Sequence, residues 1–223
     1  IRNEGSGNVV LEITTGNLVL FDHSVGSATG NISLSATNGS ILENQSNGVA
    51  SVSTAGTLTL SADTGIGNSL LEAIETNVQT VAARSQTSGD IFLNEQDGLI
   101  VGSGTNSIAG LSTNNGSISV EIGSNSLIVN DDISAGSGSI DLLATEIEVS
   151  GEITGGDIDV QGGSSAVVRA GGRVVSSGTS TTLNIEAVTV DVEAGTSSDA
   201  PLAHVGSGDI RVSTPSGAVT LAD

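Results

Sequence analysis

The 223-residue chain has no cysteine, methionine, tryptophan, tyrosine or lysine. Each absence removes a class of chemistry. Without cysteine there is no disulfide framework, no thiolate nucleophile and no zinc–thiolate site. Without lysine there is no lysine–asparagine isopeptide cross-link. Aromatic residues are reduced to Phe21 and Phe92, so stacking platforms for sugar rings are almost missing. The basic residues are five arginines: Arg2, Arg84, Arg169, Arg173 and Arg211. Twenty-five acids oppose them, for a formal charge of -20. Such a polyanion repels phosphate backbones and anionic lipid surfaces, which argues against nucleic-acid and membrane-surface partners. No run of about 18 apolar residues exists to cross a bilayer as a helix. Ile1 is not followed by a leader pattern, and the chain reads as a segment or a processed form.

What is present is glycine and branched aliphatics. There are 31 glycines and only 2 prolines, and hydrophobic residues make up 36% of the chain. The aliphatics are too numerous and too regular for a disordered chain. They recur in one phrase, glycine followed by alternating aliphatics. It reads Gly7-Asn-Val-Val-Leu, Gly16-Asn-Leu-Val-Leu, Gly30-Asn-Ile-Ser-Leu and Gly56-Thr-Leu-Thr-Leu. It returns as Gly89-Asp-Ile-Phe-Leu, Gly116-Ser-Ile-Ser-Val, Gly138-Ser-Ile-Asp-Leu, Gly156-Asp-Ile-Asp-Val, Gly208-Asp-Ile-Arg-Val and Gly217-Ala-Val-Thr-Leu. Thr182-Leu-Asn-Ile is a version without glycine.

Each phrase predicts a short strand. A period of two places the two aliphatics on one face and the middle residue on the other. The opening glycine suits a corner that needs a positive φ or a close approach. Asn-Gly at 38–39, 47–48 and 115–116 marks further turns. The strong openers fall 18 to 33 residues apart, about 25 on average, which is a solenoid period. In several intervals a second glycine-led run follows nine residues later, as at 30 and 39, so one period holds more than one side of a coil. An antiparallel sandwich would not repeat one phrase at one period. The reading is all-β, a single parallel β-solenoid over residues 1–223. About nine coils at roughly 4.8 Å each make a rod of about 43 Å. The stretch 68–84 breaks the rhythm; Leu70, Ile74 and Val78 at i, i+4 and i+8 predict a short helix near 69–77, then a strand near 79–84.

The phrases GNISLSATNGSI, GTLTLSADTGIG, TVAARSQTSGDIFLNE and GSGDIRVSTPSGAVTL resemble the repeats of filamentous-haemagglutinin-like proteins, which are large repetitive exoproteins of bacteria. The resemblance runs over nearly the whole chain. It implies a right-handed parallel β-helix, a secreted or cell-surface location, and a role in adhesion or as a rigid fibre.

Candidate sites are few. Arg169 and Arg173 are the only close basic pair, and a polysaccharide-cleaving site needs such a charge beside clustered carboxylates. His23 and His204 lie far apart, with no neighbouring triad pattern. Asp141 and Asp159 share the outward position of consecutive phrases, so their like charges should stack. Calcium could relieve that repulsion, and so could Asn or Arg in adjoining coils; Asp131-Asp132 is a second acidic pair. Asn31, Asn38, Asn44 and Asn115 stand in glycosylation sequons. No catalytic, cofactor or metal residue is assigned. The expectation is a non-enzymatic rod: an adhesin stalk or, alternatively, a fibre subunit that stacks end to end, with a polysaccharide-active β-helix enzyme as the third and least favoured reading. Its partners would be adjoining solenoid repeats, other copies, or a host-cell or matrix surface.

Overall fold

The computed structural model describes residues 1–44, 47–87, 89–193 and 200–221. Twenty strands and one 3-10 turn make up its regular structure. Eighteen strands form one continuous sheet network, and the other two, Leu18–Leu20 and Ile41–Glu43, pair with each other. Every pairing between these strands is parallel, as in Val9–Ile13 on Ile32–Ala36 and Ile118–Ile122 on Ile140–Val149; among the described residues only the isolated bridge of Ser103 to Ala109 is antiparallel. The chain is a parallel β-solenoid, as the phrase spacing predicts.

Residues one coil apart stack in columns. Leu18, Ile41, Ile66, Ile91, Ile118, Ile140, Ile158, Leu183 and Ile210 are successive partners in one column. Nine members separated by eight steps give about eight full turns, in line with the nine or so coils that the phrase count suggests. At about 4.8 Å per step the stack is roughly 38 Å long. A second column runs Val9, Ile32, Leu58, Val81, Val101, Val129, Val149, Val168, Val192 and Leu221. Both columns face the interior, where Ile41, Ile66, Ile91, Ile118 and Ile140 are fully buried. Identical branched side chains nest well on themselves, which is why Ile, Leu and Val interchange from coil to coil.

The phrases do not all occupy the same side. Val9, Ile32 and Leu58, from the phrases at Gly7, Gly30 and Gly56, lie in the second column. Ile91, Ile118, Ile140 and Ile158, from those at Gly89 to Gly156, lie in the first. The long interval from Gly56 to Gly89 is therefore one coil plus one side, not a swollen coil. Gly30 and Gly39 do open neighbouring sides of a single coil, since Ile32 and Ile41 fall in different columns.

Most opening glycines serve close approach; Gly16, with a φ of 91° and no atom within 4 Å of a would-be Cβ, serves a positive φ instead. A Cβ on Gly138 would lie 2.1 Å from the carbonyl oxygen of Gly116. One on Gly116 would lie 2.4 Å from that of Gly89, and one on Gly30 would lie 2.0 Å from that of Gly7. Glycine stacks on glycine because the coil corner leaves no room for a side chain.

The stretch 68–84 departs from expectation. Only Leu70–Glu72 is helical, as one 3-10 turn whose Ser69 hydroxyl accepts from the Leu71 amide. Strand then runs from Ile74 to Ser85. Thr76 to Val78 pair with Val52 to Thr54 on one side, and Ile74 to Thr76 pair with Leu93 to Glu95 on the other. Two waiting sheet edges and the β-branched run Ile74, Thr76, Val78, Thr80, Val81 outweigh a weak helical period.

Candidate functional site: the outward polar ladders

The residue after the opening glycine ties one coil to the next. Asn8 Oδ1 accepts the Asn31 amide at 2.9 Å, and Asn31 Oδ1 accepts the Thr57 amide at 3.0 Å. Asn17 does the same for Ser40 at 3.0 Å, Asp90 for Ser117 at 2.6 Å and Asp157 for Thr182 at 2.7 Å. These amides sit at corners, where the strand ladder is interrupted and a side chain must supply the acceptor. The signal was present in the sequence: the second residue of most phrases is Asn, Asp, Ser or Thr. Among the sequon asparagines, Asn31 is engaged in this way. Asn38 donates to the Thr14 carbonyl, and Asn115 Oδ1 accepts from both Ser137 N and Oγ. Asn44 is exposed.

The middle positions form the expected outward column: Phe92, Ser119, Asp141, Asp159, Asn184 and Arg211. Asp141 and Asp159 are direct register partners. Burial, then the charges of Asp159 and Asp157, pushes the Asp141 carboxyl above its ordinary value, although the residue still reaches solvent. Asp159 is held by two amides, Asn184 Nδ2 at 2.9 Å and Gln161 Nε2 at 2.6 Å. Arg211 turns to Asp209 instead. The two aspartates line a groove of about 260 Å³ with Glu121, Gln161 and the backs of Leu142 and Leu143. Among the described residues there is no group of three or more His, Asp or Glu side chains placed to hold a metal ion.

The other candidates are bound into the scaffold. Asp131 accepts from Ser103 Oγ at 2.7 Å, and Asp132 caps the Glu152 amide at 2.9 Å. Arg169 bridges Glu148 at 2.8 Å and Glu193 at 2.7 Å, which stitches three successive coils. Arg173 meets Glu152 at 2.7 Å. The hydrogen bond and charge of Arg169 hold the Glu148 carboxyl below the usual range, and the Glu193 carboxyl is lowered by the same guanidinium. His23 belongs to the first coil and has a positive φ of 53°. His204 belongs to the last, with Nε2 2.9 Å from Thr181 Oγ1. The two are not brought together.

Sequence reading missed two features. Glu95 is fully buried, with Thr76 Oγ1 donating at 2.8 Å and the Val78 amide at 3.0 Å. Burial pushes its carboxyl above the ordinary value, against those hydrogen bonds. Glu75 is buried beneath the 47–49 turn, whose three successive amides donate to it at 3.3, 2.6 and 3.1 Å. Neither acid breaks the phrase pattern visibly, because each occupies an ordinary strand position.

Comparison with known family models, curated proteins and solved structures finds no match for this chain.

Proposed function

We propose that the chain is a stretch of a rigid extracellular rod, the stalk or repeat region of a large secreted or surface-attached bacterial adhesin. The observation that carries this reading is the unbroken stacking from Leu18 to Ile210, with every coil locked to the next by backbone ladders and corner side chains. Its mechanism is mechanical. Parallel ladders along the rod axis resist bending and leave few strand ends for proteases. The charge of -20 keeps such rods soluble and apart. A catalytic role is disfavoured because the clustered cations, Arg169 and Arg173, are already paired with glutamates and do not face an open carboxylate pair. Adhesive contact would then come from surfaces that the rod displays or carries outward.

The test is immunogold electron microscopy with antibodies to this segment, on unpermeabilised cells of the source organism. Label on fibres or at a distance from the cell boundary supports the stalk. Label seen only after permeabilisation overturns it. Negative-stain images of the purified segment, with and without calcium, separate the second reading: ordered filaments of solenoid width would make it a fibre subunit.

A further inference from the structure

Acids outnumber arginines five to one in this chain, and four of the five arginines have a carboxylate partner. Arg84 is the exception among the described residues. Its register neighbours are Ser61 on one side and Ser112 on the other, with Ser134 one coil further. All three are short, so the exposed guanidinium is not crowded by its own column. It lies in an open cleft of about 380 Å³ lined by Arg84, Ser85, Gln86, Ser112, Thr113 and Asn114. Every one of these side chains can hydrogen-bond, and none is an acid. Ser85 is 2% exposed and its hydroxyl has no protein partner.

We propose that this cleft binds the carboxylate of an acidic sugar, a role additional to that of the rod and independent of it. The guanidinium presents a planar fork that matches a carboxylate through two parallel N–H···O bonds. Gln86 and Asn114 Nδ2 offer donors to ring hydroxyls, while Thr113 Oγ1, which donates to the Gly116 carbonyl at 2.6 Å, and Asn114 Oδ1, which accepts from Asn115 Nδ2 at 3.3 Å, keep lone pairs as acceptors. The volume fits a monosaccharide-sized group. A singly charged ligand is specified, because the net charge of -20 repels a polyuronate chain while one local arginine still attracts one carboxylate. One exposed ion pair and a few neutral hydrogen bonds support roughly millimolar affinity.

The experiment follows arginine Nε–Hε signals by ¹⁵N NMR in the labelled chain, with Arg84 assigned by its loss in Arg84→Gln. Sodium glucuronate is titrated against sodium acetate and neutral glucose at constant ionic strength. The expected result is a saturable shift of Arg84 alone with glucuronate, several-fold tighter than with acetate and absent with glucose. Asn114→Ala should weaken glucuronate several-fold and leave acetate unchanged. Arg84→Gln should abolish the saturable glucuronate shifts that the backbone amides of residues 112–114 show in the parent, while keeping the melting temperature of the parent. Equal affinity for acetate and glucuronate overturns the sugar assignment. Parallel drift of all five arginines, or no saturation, overturns the site.

Discussion

Replacing Gly138 by alanine should destabilise the rod through a contact one coil away. The new Cβ would lie 2.1 Å from the Gly116 carbonyl oxygen, 2.5 Å from its carbon and 2.9 Å from Ser117 N. A relaxed carbon–oxygen contact is about 3.3 Å, so the coils must part locally by about 1 Å. The flanking bonds Ile118 N to Ser139 O and Gly156 N to Gly138 O are both 2.8 Å. An opening of that size takes at least one beyond the roughly 3.2 Å of a sound hydrogen bond. Overpacking costs about 1–3 kcal/mol and the lost bond about 1 kcal/mol. The reduced freedom of the unfolded chain returns about 0.4–1 kcal/mol. The net loss is about 1–3.5 kcal/mol, or roughly 2–14 °C in melting temperature for a chain of this size. Gly163 is the control: its nearest neighbour would be 3.6 Å away and its φ is not positive. Alanine there should be neutral or stabilising by up to about 1 kcal/mol. Scanning calorimetry reads the global change. Amide exchange at Ile118 and Ile140 reads local parting, which a solenoid permits coil by coil. If Gly138→Ala melts within about 1 °C of the parent and those amides exchange no faster, steric exclusion at the corner is wrong.

Three further outcomes follow from charge. Glu95 titrates higher in the folded chain than unfolded, so the folded state binds the extra proton between the ordinary value of 4.5 and its raised value; stability should fall as pH rises through that window, and urea titrations of Glu95→Gln should lose the slope. Glu148 and Glu193 behave oppositely: their stabilisation is complete above the ordinary carboxylate range and is lost as pH falls through the depressed folded values. In Arg169→Gln, carboxyl ¹³C shifts should show both acids titrating closer to ordinary values, and an unchanged Glu148 curve would remove Arg169 as the cause. Asp141→Asn should remove repulsion with Asp159 and leave thermal stability at pH 7 equal or higher, with the same melting temperature with or without calcium; a calcium-dependent rise in the parent chain that this substitution abolishes would make the aspartate ladder a cation site.

The strands and their inward faces were legible because a period of two is written into each phrase, and the solenoid because the phrase recurs near 25 residues. Coil register was not legible. Gly56-Thr-Leu-Thr-Leu and Gly89-Asp-Ile-Phe-Leu look equivalent, yet Leu58 stacks on Val81 while Ile91 stacks on Ile66. The phrase marks a corner followed by a strand, and this coil has more than one such corner. The helix near 69–77 shrank to the single 3-10 turn Leu70–Glu72 for a similar reason. A helical period judges the segment by its own residues, whereas Ile74 to Ser85 is decided by partners in the coils before and after it.

The same physics explains why activity is hard to read from this sequence. Column positions need only a branched aliphatic, so they carry shape and no identity. Many outward Asn, Asp and Arg side chains that would suggest chemistry are occupied in binding one coil to the next. A surface group becomes informative only where it is left out of that binding. Arg84 is such a group, and its cleft joins residues 84–86 to 112–114, which are neighbours only once coil length is known. Coil length varies from 18 residues between Ile140 and Ile158 to 29 between Val192 and Leu221. A spacing that variable hides any site built across coils. The informative unit in a solenoid of this kind is therefore the unpaired side chain within a register column, and the arginine left over in a five-fold excess of acid is where a ligand should be sought first.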